Sequence, residues 1–101
     1  MAVESMPQFP GGENRLRNYL QNNLKYPSQA RKARVEGKVY VSFVVNSGGR
    51  VTDTKIIKGI GEGCNIEALR VINKMPFWKP ATQQGRPVSV RFVIPVYFKL
   101  N

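Results

Sequence analysis

Residues 88–100, VSVRFVIPVYFKL, form the stretch that decides the fold. Apolar side chains occupy every second position from Val88 to Leu100 and alternate with a mixed set that includes Arg91 and Pro95. A period of two sustained over this length predicts a long β-strand with one buried face. Pro95 cannot donate a ladder hydrogen bond, so it favours an edge strand with the missing N–H on the open side.

Similar patterns upstream predict three helices and two more strands. The helices are expected over residues 13–24, 27–35 and 64–75, and the strands over residues 38–46 and 50–58. NSGG at residues 46–49 is typical of a hairpin turn, and imperfect alternation in the second strand indicates a bulge. Residues 77–80 are expected to form an aromatic connection, followed by a polar loop through Gly85. The apolar stripe of the third helix is expected at Ile66, Leu69, Ile72 and Met75.

This order predicts an α+β fold of the type α-α-β-β-α-β. The hairpin holds the first two strands together, so the last strand must lie outside one of them, and a crossover beside the first strand is favoured. We therefore expect a three-stranded antiparallel sheet in the order 2-1-3. Its helices should pack on one face and its last strand should lie at an open edge. The chain is predicted to be a single domain over residues 1–101, with an extended leader at residues 1–12.

Composition limits the functional classes. The 101 residues suffice for one core, and the apolar runs are too short for a membrane span or a signal peptide, so any targeting segment is expected upstream. Histidine is absent, which removes the commonest general base and metal ligand, and the single cysteine excludes an internal disulfide. We therefore expect no enzymatic activity, no metal and no cofactor.

Individual side chains have alternative interpretations. Cys64 begins a helix, where a thiol can be reactive, but a packed cysteine is favoured because free cysteines are usually buried. Phe77 and Trp78 suit base stacking, yet a position closing one end of the core is favoured. Met6 and Phe9 are expected to anchor the leader on the domain.

The net charge of +10 admits several anionic partners. A solvated basic surface is the simplest interpretation. A nucleic-acid-binding domain is the alternative from another class, but the basic residues are scattered and no base-reading motif is visible. No nucleic-acid partner is therefore expected.

The predicted edge strand is the strongest candidate binding surface. Unpaired N–H and C=O groups accept an extended peptide as an added strand, but charge and proline also protect such edges. From the pattern alone, both roles remain open for Arg91, Pro95 and Lys99. If the even positions bond to the first strand, backbone groups at the odd positions face outward. Those positions are Ser89, Arg91, Val93, Pro95 and Tyr97.

Several motifs together resemble one family. Residues 26–53 follow the pattern Y-P-x-x-A-R-x-x-x-V-E-G-K-V-x-V-x-F-V-V-x-x-x-G-R-V-x-D. They are followed in order by G-I-G-x-G-C, E-A-L-R-V-I, W-K-P-A, G-R-P-V and a closing F-K-L, and preceded by the leader M-P-Q-F-P-G-G. The combined order and spacing resembles the C-terminal domain of the TonB family over residues 3–101.

The resemblance implies a periplasmic energy-transducer domain anchored to the inner membrane in the full-length protein. Such domains bind the TonB box, a short peptide of outer-membrane transporters, beside their last strand. An N-terminal membrane helix connects them to ExbB–ExbD and the proton gradient, which drives nutrient uptake. On this chain the peptide edge would be residues 91–97, with Tyr26 and Pro27 beside the peptide. Pairing of two copies as a homodimer stays open, and the same domain also ends other membrane-anchored sensor or peptidase proteins.

Overall fold

The computed structural model describes residues 3–100, which form three helices and five strands. In chain order these are α1 (Glu13–Asn23), α2 (Ser28–Lys32), β1 (Gly37–Val45), β2 (Val51–Lys58), α3 (Cys64–Asn73), β3 (Ala81–Gln83), β4 (Arg86–Val88) and β5 (Val90–Phe98). The predicted α+β class is confirmed, and β3 and β4 are additions to it.

The main sheet has the order β2-β1-β5, as the sequence predicts. β1 pairs antiparallel with both neighbours, and its register with β5 continues without a shift from Gly37↔Phe98 to Val45↔Val90. Valine and phenylalanine side chains at alternate positions of β1 are buried, which drives this strand to the centre of the sheet. The last strand therefore lies at an edge, with only β1 beside it among the described strands.

The predicted irregularity of β2 is confirmed and occurs twice. The register with β1 shifts between Tyr40 and Val41 and again between Ser42 and Val44. Asp53 lies within the second shift and has a φ of 50°, in the left-handed region. Extra residues on β2 therefore bend this strand, while β1 keeps its regular pairing with β5.

The polar loop expected after Pro80 and through Gly85 is wrong, because this segment forms β3 and the turn of the small hairpin of β3 and β4. Gln84 and Gly85 have φ values of 51° and 73°, and two such residues match the twist of a tight hairpin. Val88 pairs with Ala81 in this hairpin, so the predicted strand 88–100 begins at Val90 instead. The signal is weak in the sequence because both strands are short and mostly polar.

The leader runs beside this hairpin. Ser5 forms an isolated bridge with Thr82, and Gln8 forms another with Lys79. The Gln8 N–H donates to the Lys79 carbonyl at 2.9 Å, and the Lys79 N–H donates back to the Gln8 carbonyl at 2.8 Å. Backbone hydrogen bonds thus hold the leader against residues 79–82, although the two segments are distant in the sequence.

The second helix ends earlier than expected. Arg34 adopts a left-handed conformation with a φ of 54°, and the Val35 N–H donates to the Ala30 carbonyl at 2.8 Å. This six-residue closure satisfies a free carbonyl at the helix end. The helix therefore ends at Lys32 and does not reach residue 35.

The helices cover one face of the sheet, but the stripe predicted for α3 is partly wrong. Ile72 and Met75 are buried as expected, whereas Ile66 is 75% exposed. Steps of three residues turn by about 60° against a helix of 3.6 residues per turn, so the two ends of the predicted stripe face opposite directions. The buried face instead comprises Cys64, Ala68, Val71 and Ile72.

Aromatic rings fill the end of the core near the β1–β2 turn. Trp78 lies with its ring centroid 5.6 Å from Phe9, 5.6 Å from Phe43 and 5.4 Å from Phe92. The buried positions predicted for Phe9 and Trp78 are confirmed. A Cβ on Gly49, whose φ is 85°, would lie 2.2 Å from the Trp78 carbonyl oxygen, so this contact requires glycine.

The neighbouring apolar side chains were predicted incorrectly. Met6 and Phe77 are each 59% exposed, so neither anchors nor closes the core. Phe77 instead lies under the Arg50 guanidinium, whose central carbon is 5.3 Å from the ring centroid. The alternation of buried and exposed neighbours follows from extended backbone, in which adjacent side chains point to opposite sides.

Candidate functional site

The candidate site begins at the outer backbone edge of β5, which we call the open edge. Side chains at even positions face the core: Val96 and Phe98 are buried. Odd positions face solvent, with Val93 48% exposed and Tyr97 60% exposed. The assignment of faces made from the periodicity is thus confirmed.

Hydrogen-bond directions along the open edge follow from the β1–β2 turn. The Asn46 N–H donates to the Arg50 carbonyl at 2.9 Å, so even positions of the first strand bond toward β2. Odd positions of β1 then bond toward β5, and Val41 pairs with Ile94. Even positions of β5 therefore bond inward, and Pro95 has its missing N–H on the outer side.

The seven predicted site residues do not share one environment. Val93, Pro95 and Tyr97 lie along the open edge, with exposed side chains. Ser89 lies outside any strand, between β4 and β5, so it marks the beginning of the edge. Pro27 is half-buried against Gly63, 3.1 Å from the position that a Cβ there would occupy. It lies against the residue that precedes α3 and is not among the groove-lining residues.

Arg91 extends across the helix-free face of the sheet. Its Nη1 donates to the Ser42 hydroxyl at 2.7 Å and to the Asp53 carbonyl at 3.4 Å. Ser42 is only 1% exposed, so the guanidinium covers a buried hydroxyl. The Arg91 side chain therefore connects β5 to β1 and β2, while its backbone remains at the open edge.

Tyr26 reaches the same region from the segment between α1 and α2. Its ring packs edge-on against Phe98 at 5.7 Å, and its hydroxyl donates to the Val35 carbonyl. The Arg31 guanidinium lies 5.3 Å from the centre of the Tyr26 ring. Burial raises the pKa of Tyr26, so the phenol stays protonated and keeps its donor role near neutral pH.

A groove of about 980 Å³ opens where the end of β5 meets the first two helices. Its apolar lining consists of Leu20, Leu24, Tyr26, Pro95, Val96 and Leu100. Four cationic side chains line it as well: Arg17, Arg31, Arg34 and Lys99. We call it the cationic groove. Pro95 and Tyr97 belong to both the groove and the open edge, so the two surfaces are continuous.

Sequence reasoning missed the contribution of α1 to this groove. Leu20 of α1 and Leu24, which follows it, line the groove, and α1 has no fully buried residue. Half-buried leucines on a helix at the domain surface are the signal that its face is incompletely covered.

An ion pair positions the chain that leads into the groove. Glu67 and Arg70 on α3 form a salt bridge with Nη2 and Oε2 2.7 Å apart, and the Lys25 N–H donates to the same oxygen at 2.6 Å. The Arg70 Nη2 also donates to the Asn23 carbonyl at 2.8 Å. The hydrogen bonds from Arg70 hold the pKa of Glu67 below its ordinary value.

Cys64 lies outside this site. It is fully buried, as the favoured interpretation predicted, and burial raises the pKa of its thiol. A protonated, enclosed thiol is a poor nucleophile.

Among residues 3–100, the helices are all too short or too polar to cross a bilayer.

Comparison with known proteins identifies the class of domain. A family model described as "Gram-negative bacterial TonB protein C-terminal" matches residues 22–100, which is most of the chain. A chain with this sheet order and this match belongs to the family of TonB C-terminal domains. The fold also agrees with the solution structure of the Helicobacter pylori TonB C-terminal domain (residues 194–285 of that protein). That match has a TM-score of 0.64 at 26% identity and covers 85% of this chain and 90% of the other.

Curated relatives agree with this assignment. Protein TonB of Salmonella typhimurium is 35% identical over 80 residues, which cover 79% of this chain and 31% of the relative. Protein TonB of Helicobacter pylori strain 26695 is 28% identical over 103 residues, covering 97% of this chain and 35% of the relative. The chain thus spans about a third of the length of these relatives.

Proposed function

We propose that this domain is the periplasmic part of a TonB-type energy transducer and that it binds the TonB box of outer-membrane transporters as an added strand. The observation that carries the proposal is the open edge of β5, whose odd positions direct backbone groups outward. The binding segment is residues 91–97, and Ser89 precedes it. Tyr26, which lines the adjoining groove, and the next residue, Pro27, lie beside the bound peptide.

Strand addition suits this edge for a physical reason. β5 keeps an unshifted register with β1 over its full length, so its outer groups are evenly spaced. An added peptide pairs with these groups through main-chain hydrogen bonds, while Val93 and Tyr97 offer exposed apolar surface on one face. The site binds and transmits force without catalysing a reaction.

The wider function belongs to the full-length protein. We propose an inner-membrane helix upstream of this chain, through which the ExbB–ExbD complex and the proton-motive force act. Tension on the bound peptide then couples the inner membrane to nutrient uptake at the outer membrane. Pairing of two copies at the open edge would compete with the peptide, because both need the same backbone groups.

The test is an NMR titration of the chain with a synthetic TonB-box peptide. Backbone amides of Arg91, Val93 and Tyr97 should shift and become protected from hydrogen exchange. A scrambled peptide of the same composition is the control. Shifts confined to residues 31–38 would contradict the proposal.

A single-stranded oligonucleotide forms a further arm of this titration. Affinity for it that falls steeply with salt, together with no peptide effect at β5, would favour the nucleic-acid alternative.

A further inference from the structure

The cationic groove has a chemical preference of its own. Arg17, Arg31, Arg34 and Lys99 all line it and are all exposed. No aspartate or glutamate is among the lining residues. Four positive charges around one concave surface therefore create a local field that favours an anion.

The described part of the chain neutralises little of this charge. Its one salt bridge is the pair of Glu67 with Arg70, which lies on α3. Glu36 is the carboxylate next to the groove, and its Oε1 accepts the Leu100 N–H at 2.9 Å. The Arg31 guanidinium lies over the face of the Tyr26 ring. Such a contact does not occupy the N–H donors of the guanidinium, so they remain available to an anion.

The groove lies in the path of a peptide on the open edge. Pro95 and Tyr97 line both surfaces, so a strand added along β5 and continuing past Tyr97 enters the groove. An arginine fork binds a carboxylate through two parallel hydrogen bonds. The apolar groove floor lowers the local dielectric constant and strengthens such a contact relative to open solvent.

We propose that the cationic groove selects peptides that carry one or two acidic residues immediately beyond the strand-forming segment. This inference rests on the proposed function and adds a specificity to it. The acidic residues precede the paired segment if the peptide runs antiparallel to β5, and follow it if the peptide runs parallel. The cations are exposed, so we expect the acidic residues to improve affinity by about threefold to tenfold at low salt.

Four peptides with one apolar strand-forming core test the proposal by NMR titration of the chain. Two carry a Glu pair, on the N-terminal or the C-terminal flank, and two carry Gln at the same positions. One of the acidic peptides should bind more tightly than its Gln partner, and the preference should weaken as salt rises. Which flank is effective then reports the direction of the added strand.

Two charge-matched variants locate the effect. Arg17→Gln with Arg31→Gln should abolish the preference for Glu over Gln. Lys55→Gln with Arg86→Gln removes the same charge from exposed positions outside the groove and should keep the preference. Equal loss in both variants would overturn the proposal, because net charge alone would then explain the preference.

The remaining outcomes separate this inference from the proposed function. Equal binding of Glu and Gln peptides, with shifts along β5, overturns the groove specificity and leaves strand addition supported. If no peptide shifts the β5 amides, the proposed function itself fails. Vesicles containing phosphatidylglycerol provide a last arm: groove-dependent vesicle binding without any peptide preference overturns the proposal in favour of a lipid phosphate.

Discussion

The two outer strands of the sheet present edges of opposite character. β2 is bent by two register shifts and carries Asp53 in a left-handed conformation, with exposed lysines at positions 55 and 58. β5 runs in regular register and interrupts its outer donors only at Pro95. Bulges and lysines are devices that prevent strand addition, so the comparison indicates which edge is protected and which is left open.

Arg91 connects these two edges. Its guanidinium crosses β1, covers the Ser42 hydroxyl and reaches the Asp53 carbonyl inside the second register shift of β2. The Arg91 side chain therefore links β5 to both other strands of the sheet.

The largest expected effect comes from adding a proline to β5 at one of two adjacent positions, Ile94 or Val93. Ile94→Pro removes a donor that bonds to β1 and should lower the free energy of unfolding by about 1–3 kcal/mol. Val93→Pro removes an outward donor and should leave folding nearly unchanged while weakening TonB-box binding by about tenfold. Urea unfolding and NMR titration measure the two quantities. Equal stability loss in both variants would refute the assigned hydrogen-bond directions.

A smaller effect is expected from cutting the link between the edges. Arg91→Gln removes the charged donor above the buried Ser42 hydroxyl and should cost about 1–1.5 kcal/mol of stability. Ser42→Ala removes the acceptor, and a double-mutant cycle isolates the coupling between them. The cycle uses urea unfolding of four chains, the parent included. Additive losses would mean that Arg91 does not stabilise the sheet through Ser42.

The smallest effect concerns the Glu67–Arg70 ion pair on α3. This pair is hydrogen-bonded to the backbone of Asn23 and Lys25, in the segment that leads into the cationic groove. The pKa of Glu67 is lowered in the folded state, so its contribution to stability is complete above the ordinary value of about 4.3 and is lost as pH falls through the folded value. Glu67→Gln should therefore lower Tm by a few degrees at most at neutral pH. At the acidic end of the range, the two chains should have the same Tm. Thermal melts of both chains from neutral to acidic pH measure this. A difference that grows on acidification would show the sign to be wrong.

Much of the fold was accessible from the pattern of single segments. The alternation in β1 and β5, the turn at residues 46–49 and Pro95 together predicted the strand order and the open edge. The hairpin of β3 and β4 was missed because three-residue polar strands carry almost no periodic signal. Ile66 was misplaced because the stripe was counted in steps of three, which drift around a helix.

The candidate site divides in the same way. The outward positions of β5 were predicted because side-chain face and hydrogen-bond direction both repeat every two residues. The contact of Pro27 with Gly63 and the position of Ser89 outside the strand depend on packing against other elements. The single domain over residues 1–101 and the binding roles of the site residues stay predictions.

By itself, the sequence determined the edge strand, its buried face and the side on which Pro95 lies. These are local consequences of side-chain period and of a missing N–H. Only the tertiary structure decided the path of Arg91 to Ser42, which is separated from it by 49 residues, and the convergence of α1, α2 and β5 on one groove. Such features depend on how separate elements pack, because the side chains that form them come from segments that are distant in the sequence.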